Sequence, residues 1–322
     1  MEFAGLIYDR STHYIDHLAP FCSLMNWPLI VCEPSVSDLI QKFYPDIKII
    51  EESPLKLKLP PHIVTCDTDP VIRATFPNQK TKTLWLPHGN SDKGHSAPFF
   101  EALRDQEIAL VYGKKMVDFM NKKGVFPKTV PIGNFRYHYF LKHKEFYKAL
   151  LDPIIPKTGT HFLYAPTWDD SEGNGSFWKT FPHLSANVPG HCNLLIKLHP
   201  NTIEKFEPEI EQLKSTLKPN VHFIPELPPI YPLLSRCDAY IGDISSIGYD
   251  FLTFGLPMFF LNTNKPLDLH QCGSAIDPKS FHFLATDDFS FRQKKLYAFT
   301  FEKIDFNSKS LLSSLKSLLT GN

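Results

Sequence analysis

Residues 239–250 read AYIGDISSIGYD. Ala239, Tyr240 and Ile241 form a short apolar run of the kind that fills a strand buried on both faces. Asp243, Ser245 and Ser246 interrupt the run, and from Ile247 apolar residues return at helical spacing. Serine and aspartate at such a handover are ordinary helix N-caps. The same junction also suits an anion, because backbone N–H groups point outward there and the helix macrodipole favours negative charge. A strand that turns directly into a helix is half of a βα unit, and the rest of the chain repeats it.

In the first half, GLIYD (Gly5–Asp9) precedes a helical pattern at His13–Met25, and PLIVCE (Pro28–Glu33) precedes SVSDLIQKFY, where Ser35 and Asp38 have capping-box spacing. IKIIE, HIVTCD, KTLWLP, IALVYG and TVPIG follow at intervals suited to further βα units. In the second half HFLYAP, NLLIKLHP, VHFIPE, AYIGD and PMFFLN alternate with stretches such as IEKFEPEIEQLKSTL. Short apolar runs alternating with helices predict parallel sheets covered on both faces. LLDPIIPKTGT (Leu150–Thr160), with its prolines and glycine, reads as the linker. The expectation is therefore an α/β chain of two Rossmann-like, doubly wound parallel-sheet domains facing a central cleft, 1–152 and 153–290, followed by a helical tail, 291–322, that packs back on the first.

The chain has 322 residues, 43% apolar and 21% charged, an ordinary globular balance. Lys plus Arg and Asp plus Glu both number 34, so net charge gives no reason to expect nucleic acid as a partner. Six scattered cysteines, with no CxxC pair, read as reduced core thiols. The opening MEFAGLIYDRSTHY has neither the basic nor the apolar region of a signal peptide, and no run matches a membrane span. A cytoplasmic protein is expected. Gly113–Gly124 and Phe135–Leu151 mix basic residues with aromatics, so attachment to the inner membrane surface stays open beside a solvated helix face with a core stripe.

Four stretches end a strand in polar residues that the strand does not need. LWLPHGNSDKGH (Leu84–His95) aims His88 out of a strand's carboxyl end, with Gly89 for a tight turn and Asp92 and Lys93 behind. An imidazole there serves as a base or a phosphate donor, or simply bonds its own turn. His88 and His95 find no third ligand at a recognisable spacing, so no metal is expected, and nothing calls for a cofactor. FLYAPTWDDSEG (Phe162–Gly173) ends in Thr167, Asp169 and Asp170, either a ligand loop or a capped turn. LLIKLHPN (Leu194–Asn201) carries Lys197 and His199, and an ammonium on an apolar strand must find solvent or an anion. The fourth is the opening stretch, where Asp250 follows the serines by more than a helical turn. P-loop, GxGxxG and GxSxG fingerprints are absent.

Together, PHG at Pro87–Gly89, YAPTWDD at Tyr164–Asp170, KLHP at Lys197–Pro200 and GDISSIGYD at Gly242–Asp250 resemble, in order, the motifs of the CDP-glycerol glycerophosphotransferase family, the teichoic-acid polymerase and primase type of GT-B transferase. Pro87 stands where the family has tryptophan, and Asp169 where it has arginine. The resemblance implies a GT-B fold, with a nucleotide-activated donor on the second domain and a polyol, glycan or lipid-linked acceptor approached from the first. By motif position His88 becomes the acceptor-activating base and His199 a stabiliser of the donor phosphate. Ser245 and Ser246 cradle the diphosphate, and Asp250 lies near the nucleotide sugar. Gly89, Asp92, Lys93, Thr167, Lys197 and Asp243 complete the expected substrate contacts. Three functions follow: transfer of a polyol phosphate from a CDP donor; a GT-B glycosyltransferase or epimerase-like enzyme using a nucleotide sugar; and a non-catalytic nucleotide-sugar binder.

Overall fold

A computed structural model of the chain describes residues 1–90, 92, 102–168, 173, 175–261, 267–280, 282, 288–304 and 306–320. The chain forms two compact units: 1–90 with 94–142 and 298–322, and 91–93 with 143–297. The changeover at 142/143 lies ahead of the proline-rich stretch at which the composition breaks. The reason is the helix Lys144–Leu151, which ends beside Asp152, and Asp152 is ion-paired at 2.9 Å to Arg236 of the second unit.

The first unit holds β1 (Phe3–Ile7), β2 (Leu29–Val31), β3 (Ile49–Glu51), β4 (His62–Thr65), β5 (Lys82–Trp85), β6 (Ile108–Val111) and β7 (Lys128–Pro131), in the order β3-β2-β1-β4-β5-β6-β7. The second holds β8 (Thr160–Tyr164), β9 (Cys192–Ile196), β10 (Val221–Phe223), β11 (Ala239–Gly242), β12 (Met258–Phe260) and β13 (Ser274–Ala275), in the order β10-β9-β8-β11-β12-β13. Every pairing is parallel. Strands such as Phe3–Ile7, Ile108–Val111 and Cys192–Ile196 are buried at every residue, which is what covering both faces of a parallel sheet demands. In each sheet the strand order reverses beside the first strand, between β1 and β4 and between β8 and β11. Loops from the carboxyl ends diverge there and leave a crevice, the usual ligand position of open α/β sheets.

One local expectation is corrected, and the structure adds two details. Ser35 does not cap its helix: the helix is Pro34–Phe43 with Glu33 at the cap, because proline's fixed φ and missing N–H suit the first helical position. The tail is two helices, Ser290–Thr300 and Ser308–Thr320, and Asn307 Oδ1 caps the second by accepting from the N–H groups of Lys309 and Ser310 at 3.0 and 3.1 Å. Short β13 has no apolar run to announce it. In the basic aromatic stretches Phe135, Tyr139, Phe140 and Tyr147 are buried, so these rings serve the core. Arg136 is buried against Asp16 at 2.9 Å, and Tyr44 donates to the same carboxylate at 2.9 Å. All six cysteines are free thiols. Among the described residues no helix is long and apolar enough to cross a membrane.

Candidate active site

In the second unit the register places Tyr164 level with both Ile196 and Ile241, so the loops after β8, β9 and β11 leave the sheet side by side. Thr167 lies on the first, Lys197 and His199 on the second, Asp243, Ser245 and Ser246 on the third. Asp243 is wholly buried and acts inward. Its carboxylate accepts the Thr167 N–H at 2.9 and 3.1 Å and the Ser176 hydroxyl at 2.7 Å, and Ser176 Oγ lies 3.1 Å from Tyr164 Oη. His270 Nε2 meets the Asp243 carbonyl at 3.1 Å. One aspartate thus ties the β8 loop to the β11 loop across the crevice. Thr167 gives its N–H to that carboxylate, while its buried hydroxyl has no partner among the described residues.

His199 caps the helix Pro200–Lys205, its Nδ1 accepting the Asn201 N–H at 3.2 Å. A ring nitrogen that accepts carries no proton, so in neutral His199 the hydrogen sits on Nε2. The ring lies 6.1 Å from that of Trp168. Ser245 caps the helix Ser246–Phe251, its hydroxyl accepting from the Ile247 N–H at 3.4 Å, and Ser246 is half-buried at the first helical position. Gly242 ends β11 where a Cβ would run into the Tyr240 ring. Asp250 is buried and accepts from Tyr231 Oη at 3.1 Å. Asp92, which belongs to this unit, accepts from the Tyr249 hydroxyl. Lys93, His95, Asp169 and Asp170 lie outside the described residues.

In the first unit, polar residues converge where the sheet order reverses. Tyr8, Asp9, His13 and Tyr14 follow β1, Asp67 follows β4, and His88 follows β5. The exposed His88 ring lies 5.3 Å from that of Tyr14, 5.5 Å from His13 and 6.5 Å from His17. Gly89, at φ 120°, turns the chain immediately behind it in a region that favours glycine. Tyr14 Oη donates to Asp67 Oδ1 at 3.1 Å. Burial, with Asp9 adding repulsion, pushes the Asp67 carboxyl up to about 6. Burial and then Asp67 push the Tyr8 phenol up to about 12 and the Tyr14 phenol higher still. His13 is held below the usual imidazole range by burial, against the pull of Asp9. His17 lies well below it, from burial and then from Arg136, His88 and His13. Among the described residues no group of three or more His, Cys, Asp or Glu is arranged to hold a metal ion.

Of this first-unit cluster only His88, with Gly89 behind it, was read from the sequence. The missed signal was present in the strand tails: THYIDH follows GLIYD, and HIVTC ends in Asp67.

Residues 140–268 match the family model described as CDP-glycerol:poly(glycerophosphate) glycerophosphotransferase. The resemblance read from the sequence is borne out. The matched segment spans Thr167, Lys197, His199 and the Asp243–Asp250 stretch, and does not reach His88. Solved structures give the same fold. The wall teichoic acid polymerase TagF aligns over 99% of this chain and 88% of its own, at 13% identity and TM-score 0.65. A Staphylococcus aureus MnaA–UDP co-structure aligns over 99% and 97%, at 14% and 0.64. The Neisseria meningitidis UDP-GlcNAc 2-epimerase bound to UDP-GlcNAc aligns over 100% of each chain, at 12% and 0.56. No curated protein matches the sequence. The fold is GT-B, and the segment 140–268 is similar to glycerophosphotransferases.

Proposed function

We propose that this chain transfers a polyol phosphate, of the glycerophosphate type, from a CDP-activated donor to an acceptor hydroxyl. The observation that carries the reading is the crevice beside β8, where a histidine, a lysine, a buried threonine hydroxyl with no partner among the described residues and a serine-capped turn emerge together. A diphosphate needs that chemistry: hydrogen-bond donors and a cation, held in place before the ligand arrives. His199 Nε2, Lys197 and the hydroxyls of Thr167, Ser245 and Ser246 face the diphosphate in this reading. Asp243 positions Thr167 and Asp250 takes the nucleotide sugar. Asp92, and Lys93 beside it in sequence, belong to the substrate-binding set.

His88 is the base. It takes the proton from the acceptor hydroxyl as the oxygen attacks the phosphorus that carries the polyol. The new O–P bond forms, the anhydride P–O bond breaks, and CMP leaves with that electron pair. Such transfers depend on positioning and charge stabilisation more than on covalent help from the protein. The acceptor is a polyol, a glycan or a lipid-linked hydroxyl, the last of which would bring the protein to the inner membrane surface.

The test is a thermal-shift panel of CDP-glycerol, CDP-ribitol, UDP-sugars, CMP-sugars and GDP-sugars, followed by product analysis. Stabilisation by a CDP-polyol and release of CMP are expected. A second reading draws on the likeness to UDP-GlcNAc 2-epimerase: attack at a sugar carbon with a nucleoside diphosphate leaving. Release of UDP or GDP would replace the first reading with that one. Ligand stabilisation without turnover in any pairing would leave a binding protein.

A further inference from the structure

Leu86 is the last residue at the end of β5 to use its N–H in the sheet, donating to the Thr65 carbonyl at 2.8 Å. Pro87 follows and has no N–H, so its carbonyl is the only backbone hydrogen-bonding group it brings to the corner ahead of His88. The Tyr112 hydroxyl donates to that carbonyl at 3.1 Å. A phenol has a single hydrogen and a carbonyl only accepts, so the 2.6 Å contact between Tyr112 Oη and His17 Nδ1 must be donated by the imidazole. The result is a directed chain, His17 Nδ1–H to Tyr112 Oη–H to the Pro87 carbonyl.

Tyr112 itself has little freedom. Its ring is buried, stacks on Phe135 at 5.7 Å, meets the edge of Phe301 at 5.8 Å and lies 5.7 Å from the Arg136 guanidinium. Its carbonyl accepts the Glu302 N–H at 2.8 Å.

We propose that Tyr112 and His17 are positioning residues for His88: Tyr112 tethers the Pro87 carbonyl, and His17 keeps the tether's hydrogen aimed at it. The proposal rests on the reading of His88 as the base. It also explains how a proline is accommodated where the resembling family has tryptophan.

Tyr112→Phe keeps the packing and removes the tether. His17→Leu removes the donor, whereas His17→Asn returns an N–H near the Nδ1 position. Steady-state kinetics on the full chain with the active CDP donor should show Tyr112→Phe and His17→Leu losing roughly 10- to 100-fold in kcat, with donor KM within about twofold. His17→Asn should stay within about threefold of the parent. The His88 ring resonance, assigned by its loss in His88→Ala, should move in Tyr112→Phe and His17→Leu and hold in His17→Asn. Parental kcat with an unmoved His88 resonance in Tyr112→Phe overturns the proposal, as does His17→Asn behaving like His17→Leu. Should the parent turn over no donor, or His88→Ala stay active, the catalytic reading falls while the resonances still decide whether the tether holds the ring.

Discussion

In the proposed function His199 has two jobs on opposite edges of one ring, and substitution separates them. Nδ1 caps the helix Pro200–Lys205 by accepting the Asn201 N–H at 3.2 Å, which puts the ring hydrogen on Nε2, the edge that meets the donor phosphate in the proposed function. Asparagine is a good N-cap and offers an oxygen near the Nδ1 position, but nothing at Nε2. His199→Asn should therefore keep the cap and lose the phosphate contact; His199→Ala should lose both. The cap is worth about 1 kcal/mol, a drop in Tm of roughly 2–4 °C for a unit of this size. A hydrogen bond to a charged oxygen is worth about 1.5–3 kcal/mol, or roughly 10- to 150-fold in affinity. Calorimetric melting and titration with CDP-glycerol read the two quantities independently. Expected are a parental Tm with weakened binding for His199→Asn, and a lowered Tm with equally weakened binding for His199→Ala. If His199→Asn binds the donor like the parent, or melts as low as the alanine variant, the tautomer argument is wrong.

Removing the buried Asp243 carboxylate strands the Thr167 N–H and the Ser176 hydroxyl, so Asp243→Ala should cost about 3 kcal/mol, or roughly 6–12 °C in the melting of the second unit; a shift below about 2 °C would count against the brace. Asp67 titrates near 6 rather than 3.8 in the folded chain, so the native state holds the extra proton between those values, and the group's unfavourable contribution grows as pH rises through them. Asp67→Asn should accordingly raise Tm at pH 8, with the gain shrinking towards pH 4; a gain independent of pH would refute this. Arg136→Met should cost about 3–5 kcal/mol by removing the cation that neutralises the buried Asp16, while adding Asp16→Leu recovers much of the loss, as denaturant titration of both variants would show.

The fold was legible because a parallel sheet buried on both faces writes each strand as an apolar run. LIVC, HIVTC, IALVY and NLLIK could hardly be anything else. Boundaries were less legible where packing decides them. The helix Lys144–Leu151 belongs to the second unit through contacts that its composition does not show. In the second unit the residues gathered beside β8 were readable as polar tails on strands. Their division of labour was not: a sequence shows that Asp243 precedes two serines, but not that its carboxylate turns inward to Thr167 and Ser176. In the first unit, His17 and Tyr112 lie far apart in sequence and meet through the sheet order. No local spacing could announce that pair.

The return of residues 298–322 to the first unit also sets an order of assembly. Phe301 and Glu302 pack on Tyr112, Leu315 is fully buried, and Lys316 pairs with Glu2 at 2.8 Å. On the ribosome those partners arrive only after the whole second unit has been made, a wait of roughly 10–30 s at ordinary elongation rates. Until then the nascent first unit holds an incomplete core around Tyr112, the residue that holds the Pro87 corner. The residues of the second unit are all made before the tail that finishes the first, so the unit that is begun first is also the one completed last.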